Sequence, residues 1–392
     1  MAAGGAAVGP VDAAYRVALL DWLACAAGGR DEPAAGAARA LGEGLSDRVA
    51  AAGTAGHVLD FDDTYLPGLA HLSAPTAPVA LVLGAELGAT AAEALAAYAA
   101  GFEAMGALSE LNHPAIRERG WHPTAVCGVV GSAATASCLL GLDAERTAIA
   151  ARLALLRAGG LQAAFGSDGK SLQVGLAAAA GVAAARLAQA GAGVGADVPR
   201  GFEQAFGARW SGDVLQQAAA GRAVRENWIK AYPCCLQTHS AIEAAELARE
   251  AHGVPAGEIA VVVHPVSRLT ASLDAVSTGL EAKFSIPYLT AYTLLHSPPG
   301  VRSFDAVDSD ASALAERIVV RTDPALLESE AVLEAQGREL ARVEAALGSP
   351  ARPMDESALA EKVRSLAGTA LAGVLEDGAV SARSVLESAS LV

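Results

Sequence analysis

Between Gly56 and Pro75 the chain reads GHVLDFDDTYLPGLAHLSAP, a stretch that gathers Asp60, Asp62, Asp63, His57, His71 and Thr64. Three chemistries could use such a set. Asp60, Asp62 and Thr64 satisfy D-x-D-x-T, the spacing of a phosphotransferase nucleophile loop. Three acids beside two histidines offer ligands to a metal ion. The same groups can also form the acid/base wall of a pocket for a carboxylate. Context weighs against the first two. A phosphotransferase loop follows a buried parallel strand, but here only Val58 and Leu59 separate His57 from Asp60, and the chain beyond is helical rather than alternating β and α. No H-E-x-x-H or comparable spacing frames a metal site.

Further reactive groups stand in loops. GWHPTAVCG (Gly120–Gly128) puts His122 before Pro123 and Thr124 at the start of an Ala/Gly-rich helix, where free N–H groups attract anions. The plainer reading is a histidine that ends a helix and packs on Trp121. Lysine is scarce: Lys170, Lys230, Lys283 and Lys362 are the only four among 28 basic side chains. Arginine serves as the generic surface cation, so each lysine is informative. Lys170 follows two glycines in FGSDGKSLQVG, Lys230 lies in WIKAYPCCLQTHSAIEAA, and Lys283 lies with Tyr288 in AKFSIPYLTAYTLL.

The elements that must position these groups fall into two textures. From about Val11 to Leu187, Ala, Leu and Val recur at three- and four-residue spacings, predicting helices over Ala13–Ala27, Thr76–Leu87, Ala91–Leu111 and Ala144–Leu155. After about Asn227, EIAVVVHPV and RIVVRTD have strand character, and AVLEAQGRELARVEAAL predicts two strands joined at Gly337. SAIEAAELAREAH and SIPYLTAYTLLH are helical. The predicted organisation is a helical domain over 1–226, an α+β domain over 227–348, and a C-terminal helical segment over 349–392 that rejoins the first domain.

Composition narrows the function. A chain of 392 residues that is 53% apolar has ample core, and a net charge of −15 repels nucleic acid and anionic membrane while leaving small anions possible. The run VGLAAAAGVAAARLAQAGAGVG is Ala/Gly-rich and broken by Arg186, which predicts a close-packed core helix rather than a membrane span. MAAGGAAVGP lacks a basic segment and a leucine-rich segment, so no secretory leader is read and a cytoplasmic address is expected. Cys25, Cys127, Cys138, Cys234 and Cys235 are odd in number and form no C-x-x-C pair, predicting free thiols.

The ordered stretches HVLDFDDT…HLSAPTAPVAL, GWHPTAVCGVVGSAATASCLLGLD, FGSDGKSLQVG, IKAYPCCLQTHSAI and KFSIPYLTAYTLL resemble the MmgE/PrpD family from about Leu19 to the C-terminus. That family includes 2-methylcitrate dehydratase, cis-aconitate decarboxylase and iminodisuccinate epimerase. The resemblance implies a mainly α fold, with a large all-helical domain and a smaller α+β lid. It also implies a homodimer, a small carboxylate substrate, and no metal or iron–sulfur cofactor. It further implies that Asp60, Thr64, His71, His122, Lys170 and Lys230 line the pocket, with Tyr288 contributed by the lid. Trp121, Cys235 and His239 stand beside these motif positions as candidate substrate contacts. Cys235 stands where the decarboxylase branch has histidine, Gln173 replaces the histidine usual after the lysine loop, and Leu72 replaces a proline.

The shared chemistry is carbanion character beside a carboxylate. Lys170, Lys230 and His122 are expected to hold the charge. Asp60, with its proton affinity tuned upward, or His71 is expected to move the proton. Asp60 and Thr64 are expected to face the substrate one helical turn apart, with Asp62 and Asp63 turned elsewhere and His57 structural. Loss of water needs only a base and an acid, so a metal-independent hydro-lyase of the 2-methylcitrate dehydratase kind is expected. Epimerase, decarboxylase and a silent scaffold are the rivals.

Overall fold

A computed structural model describes residues 11–216 and 221–391. The leader expectation, which rests on Met1–Pro10, falls outside the described residues. The fold is mainly helical with a small sheet part. Its principal helices are α1 (Val11–Gly29), α2 (Leu45–Val58), α3 (Ala91–Leu111), α4 (Pro123–Leu139), α5 (Ala144–Leu155), α6 (Gly169–Gln189), α7 (His239–His252), α8 (Ile286–Leu295) and α9 (Glu356–Ala367).

Local chemistry sets their ends. Thr90 and Glu93 form a capping box on α3, and the Asp143 side chain accepts from Arg146 N to start α5. The helix expected over Thr76–Leu87 begins at Ser73 and widens into a π turn at Val79–Leu83, next to Pro78, which has no N–H to give.

Helix α6 is the hub, packed against α4, α2 and α5. Small residues make this possible: a Cβ on Gly175 would stand 2.2 Å from the Ala50 carbonyl oxygen, and one on Gly181 would stand 2.4 Å from Ser132. Among the described residues α6 alone is long and apolar enough to cross a membrane, but 61% of that stretch is buried against these neighbours.

The main core runs from Tyr15 through these helices and takes in Val363, Leu371, Leu375, Val385 and Leu386 of the C-terminal segment. A second core surrounds a sheet of β1 (Ile259–Val263), β2 (Ile318–Thr322), β3 (Ala331–Ala335) and β4 (Arg338–Val343), ordered β2-β1-β3-β4. Strand β1 is parallel to β2 and antiparallel to β3. Strands β3 and β4 form a hairpin whose turn residues, Gln336 and Gly337, both have positive φ (53° and 72°), matching the right-handed twist of the strands. Helices α7 and α8 cover this sheet.

Candidate active site

Helix α2 stops at Val58, and Asp60 follows in the left-handed region at φ 52°. Aspartate tolerates that conformation better than most side chains, yet it must be held there. Lys230 Nζ does so, donating to the Asp60 carbonyl at 2.9 Å and to its Oδ1 at 2.7 Å. Thr64–Tyr65 then pairs antiparallel with Asn227–Trp228, with Thr64 opposite Trp228, which brings Lys230 under the aspartate loop. The expected helical turn from Asp60 to Thr64 is therefore wrong: a left-handed turn and a two-residue ladder gather them.

All four lysines converge here. Lys170 Nζ lies 3.2 Å from Asp60 Oδ1, and Lys283 Nζ donates to the Leu59 and Pro233 carbonyls. Lys362 Nζ donates to the Phe61 and Lys230 carbonyls and pairs with Asp21 at 2.6 Å. Each of these lysine residues is 6% exposed or less. Buried cations of this kind need several charged or carbonyl partners to offset lost hydration.

Asp60 is not a tunable acid. Burial raises its proton affinity, but the Lys170 and Lys230 ammoniums outweigh this and hold the carboxyl far below the ordinary range. It is a permanent anion at neutral pH, which corrects the expectation of an upward-tuned group. The two lysines differ. For Lys230, burial lowers the affinity but Asp60 and Asp62 more than compensate, so it is raised. For Lys170, burial and the Lys230 charge prevail, and it is lowered.

Asp63 turns away, accepting from Ser73 Oγ at 2.7 Å and Asn227 Nδ2 at 2.7 Å, and burial lifts it to about 7. Asp62 does not turn away from the histidines. Its carboxylate sits 2.9 Å from His57 Nδ1 and 3.2 Å from His71 Nδ1. Those bonds put both ring protons on Nδ1, so His57 Nε2 accepts from Lys170 Nζ at 2.8 Å, and His71 Nε2 is a free lone pair 3.7 Å from Asp60 Oδ1. Burial, aided by the two lysine charges, lowers His71 to about 3, so the ring is neutral.

His122 has the opposite tautomer. Leu161 N donates to Gln173 Oε1 at 2.8 Å, which turns the amide nitrogen to His122 Nδ1 at 2.7 Å and leaves the imidazole proton on Nε2. Burial, then Lys170, keeps this ring neutral as well. The site thus holds one imidazole poised to accept a proton and another poised to donate a hydrogen bond.

His57, Asp62 and His71 present ligand atoms within 4.8 Å of one another and are the one group among the described residues with spacing for a metal ion. Asp62 is already engaged by both imidazoles and His57 Nε2 by the Lys170 ammonium, which occupies the cation's place beside His57 and leaves His71 Nε2 as the one open lone pair of the three.

These residues border a cavity of ≈ 30 Å³, lined by Asp60, Thr64, His71, His122 and Lys170 from the helical part and by Cys235, Gln237, Thr270 and Phe284 from the α+β part. Four expected contacts lie elsewhere. Lys230 is behind Asp60. Trp121 packs on Phe206, its ring 4.7 Å away. His239 faces Tyr232 and the Cys234 carbonyl. The Tyr288 hydroxyl accepts from Asp308 N inside the second core. For the last three, helical or loop geometry aims the side chain away although the motif is adjacent. Sequence reasoning missed Arg117 and Phe165, both in the wall. An arginine in a chain rich in them carries no signal by itself, though its five-residue separation from His122 in a short turn was visible.

A buried, cation-rich pocket thus lies between a helical part and an α+β part, the arrangement of an MmgE/PrpD fold. The chain matches the MmgE/PrpD N-terminal domain over residues 49–213 and the MmgE/PrpD C-terminal domain over 232–387, and it belongs to that family. It is similar to human (Homo sapiens) cis-aconitate decarboxylase, 33% identical over 209 residues that cover 50% of this chain and 43% of the relative. It is 30% identical over 272 residues to mouse (Mus musculus) cis-aconitate decarboxylase, covering 64% and 55%. The chain spans about half the length of these relatives.

Proposed function

We propose that this protein is a lyase that acts on a small di- or tricarboxylate through a carbanion-like transition state, without a metal. The observation that carries this is the Asp60 carboxylate fixed between two buried lysines and facing a base-type imidazole, His71, and a donor-type imidazole, His122. His71 Nε2 takes the proton on the carbon next to a carboxylate. As negative charge develops there, Lys170 and the His122 Nε2–H stabilise it in a site closed to water, each such donor contributing about 3 kcal/mol. Substrate carboxylates beside His71 raise its basicity from the low value of the empty site.

Dehydration is the preferred outcome. At the wall position where an imidazole would be needed to protonate carbon after decarboxylation stands Cys235, a buried thiol whose proton affinity burial raises. Expulsion of hydroxide needs only an acid, and Lys170, whose affinity is lowered, is suited to give that proton. Decarboxylation is the second reading, favoured by the cis-aconitate decarboxylase relatives. Offering the protein 2-methylcitrate, citrate, cis-aconitate and iminodisuccinate and following products by NMR separates them. Loss of water from a hydroxy acid supports the proposal. Carbon dioxide release from cis-aconitate overturns dehydration in favour of the second reading, and epimerisation of iminodisuccinate alone overturns the lyase reading.

The cavity has room for about one or two waters rather than a tricarboxylate. Its walls come from both parts of the fold, so substrate access requires the α+β part to swing off the helical part. The protein is further proposed to be a homodimer: α6 leaves Leu176 and Leu187, each 52% exposed and three turns apart, on its outer face.

A further inference from the structure

Arg117 lies in a one-turn helix, Ala115–Glu118, five residues before His122. Its side chain is only 4% exposed and lines the cavity. No carboxylate among the described residues pairs with it. Its Nε and Nη2 are buried without a partner. These two nitrogens share one edge of the guanidinium, the edge whose parallel N–H groups fit both oxygens of a carboxylate. The backbone is held in place by Gly120 N, which donates to the Arg117 carbonyl at 2.9 Å.

The aromatic wall orients the group. The guanidinium lies 5.9 Å from the Phe165 ring centre, and Lys170 Nζ lies 5.8 Å from the same centre. Phe165 meets the His122 ring edge-on at 4.9 Å and stacks on Phe284 at 5.3 Å. Two cations therefore border one ring in one cavity. Lys170 is matched by Asp60, but Arg117 has only the ring face, which is a weak partner for a desolvated cation. Burial lowers its proton affinity to about 10, so it keeps its charge at neutral pH.

We infer that the Arg117 guanidinium is the receptor for a second carboxylate of the substrate, so that the site selects acids bearing at least two carboxylates. One carboxylate faces Lys170 and the His122 Nε2–H, where the carbanion develops, and another is gripped side-on by Arg117. This inference rests on the carboxylate-lyase reading and narrows it: monocarboxylates bind weakly because they leave a buried cation unmatched.

Equilibrium binding tests this without requiring turnover. The probes are tricarballylate, which has no hydroxyl to lose, and butyrate, a monocarboxylate, each titrated calorimetrically into wild type, Arg117→Gln and Arg117→Lys. Wild type should favour tricarballylate over butyrate by about 100-fold or more. Arg117→Gln should lose about 100-fold in tricarballylate affinity while butyrate changes less than about threefold, and Arg117→Lys should recover only part because an ammonium lacks the fork. Retained butyrate binding shows that the variant is folded. Tricarballylate binding to Arg117→Gln within about threefold of wild type would overturn the role of Arg117 alone, leaving the lyase reading in place. Absence of binding of either probe to wild type would overturn both.

Discussion

Replacing Lys230 with methionine removes two hydrogen bonds to Asp60, at 2.7 Å to Oδ1 and 2.9 Å to the backbone oxygen, in a position that is 1% exposed. Asp60 Oδ2 is already without a partner, so the carboxylate would be left with Lys170 alone at 3.2 Å. Breaking one side of a buried pair costs about 3–5 kcal/mol, because the remaining charge is stranded. Lys170→Met leaves the closer Lys230 contact intact and should cost only about 1–2 kcal/mol while still abolishing turnover. The sequence alone cast both lysines as holders of the developing charge; the geometry makes Lys230 part of the framework. The decisive variant is Asp60→Asn/Lys170→Met/Lys230→Met, which removes the carboxylate and both of its ammonium partners together, so that none of the three is left unmatched and about 1–3 kcal/mol of the loss should return. Urea unfolding followed by circular dichroism, with turnover measured in parallel, gives all three values. A Lys230→Met protein as stable as Lys170→Met, or a triple variant less stable than Lys230→Met, would refute this.

His71 is lowered to about 3 in the folded protein, so its folded form resists a proton that the unfolded chain binds near 6.5. The resulting penalty is absent above pH 6.5 and grows as pH falls toward 3. His71→Asn should therefore lose stability less steeply on acidification, by about 1.4 kcal/mol per pH unit, and equal slopes in pH-dependent unfolding would contradict this. Gln173→Leu should lower kcat about 10- to 100-fold and move the His122 proton distribution in nitrogen NMR, since Gln173 fixes that tautomer; an unchanged tautomer counts against it. Light scattering at micromolar concentration should give the mass of a homodimer, and Leu176→Asp should shift it toward the monomer; a monomeric wild type refutes that interface.

Much of the architecture was legible because it follows local rules. Helices α3 and α5 fall where the apolar periodicity put them, and β3 and β4 flank Gly337 as the two-strand pattern required. Lysine scarcity was also a sound guide, though its meaning was wider than expected: all four ammoniums hold residues 59–61 or their neighbours. What the sequence concealed was orientation. Spacing suggested a helix through Asp60 and Thr64, whereas the left-handed Asp60 is imposed by Lys230, distant in sequence. Asp62 was expected to turn elsewhere than the substrate, but its partners could not be named because His57 and His71 meet it only after the chain folds back. The state of Asp60 was misjudged for the same reason: burial alone would raise it, and only the position of two lysines reverses the sign. Arg117 went unnoticed because its significance is the absence of a counter-ion, which is a property of the folded interior.

The central claim is that this pocket makes and breaks a carbon–hydrogen bond next to a carboxylate, with His71 as the base and Lys170 as the charge holder. Proton NMR in D2O, with 2-methylcitrate, citrate, cis-aconitate and iminodisuccinate incubated separately with wild type, His71→Asn and Lys170→Met, addresses it directly. The account predicts deuterium entering the carbon adjacent to a carboxylate, or the matching product, for at least one acid with wild type, and rates at least about 100-fold lower in both variants. No exchange and no product from any of the four acids, or undiminished exchange in the variants, would contradict it.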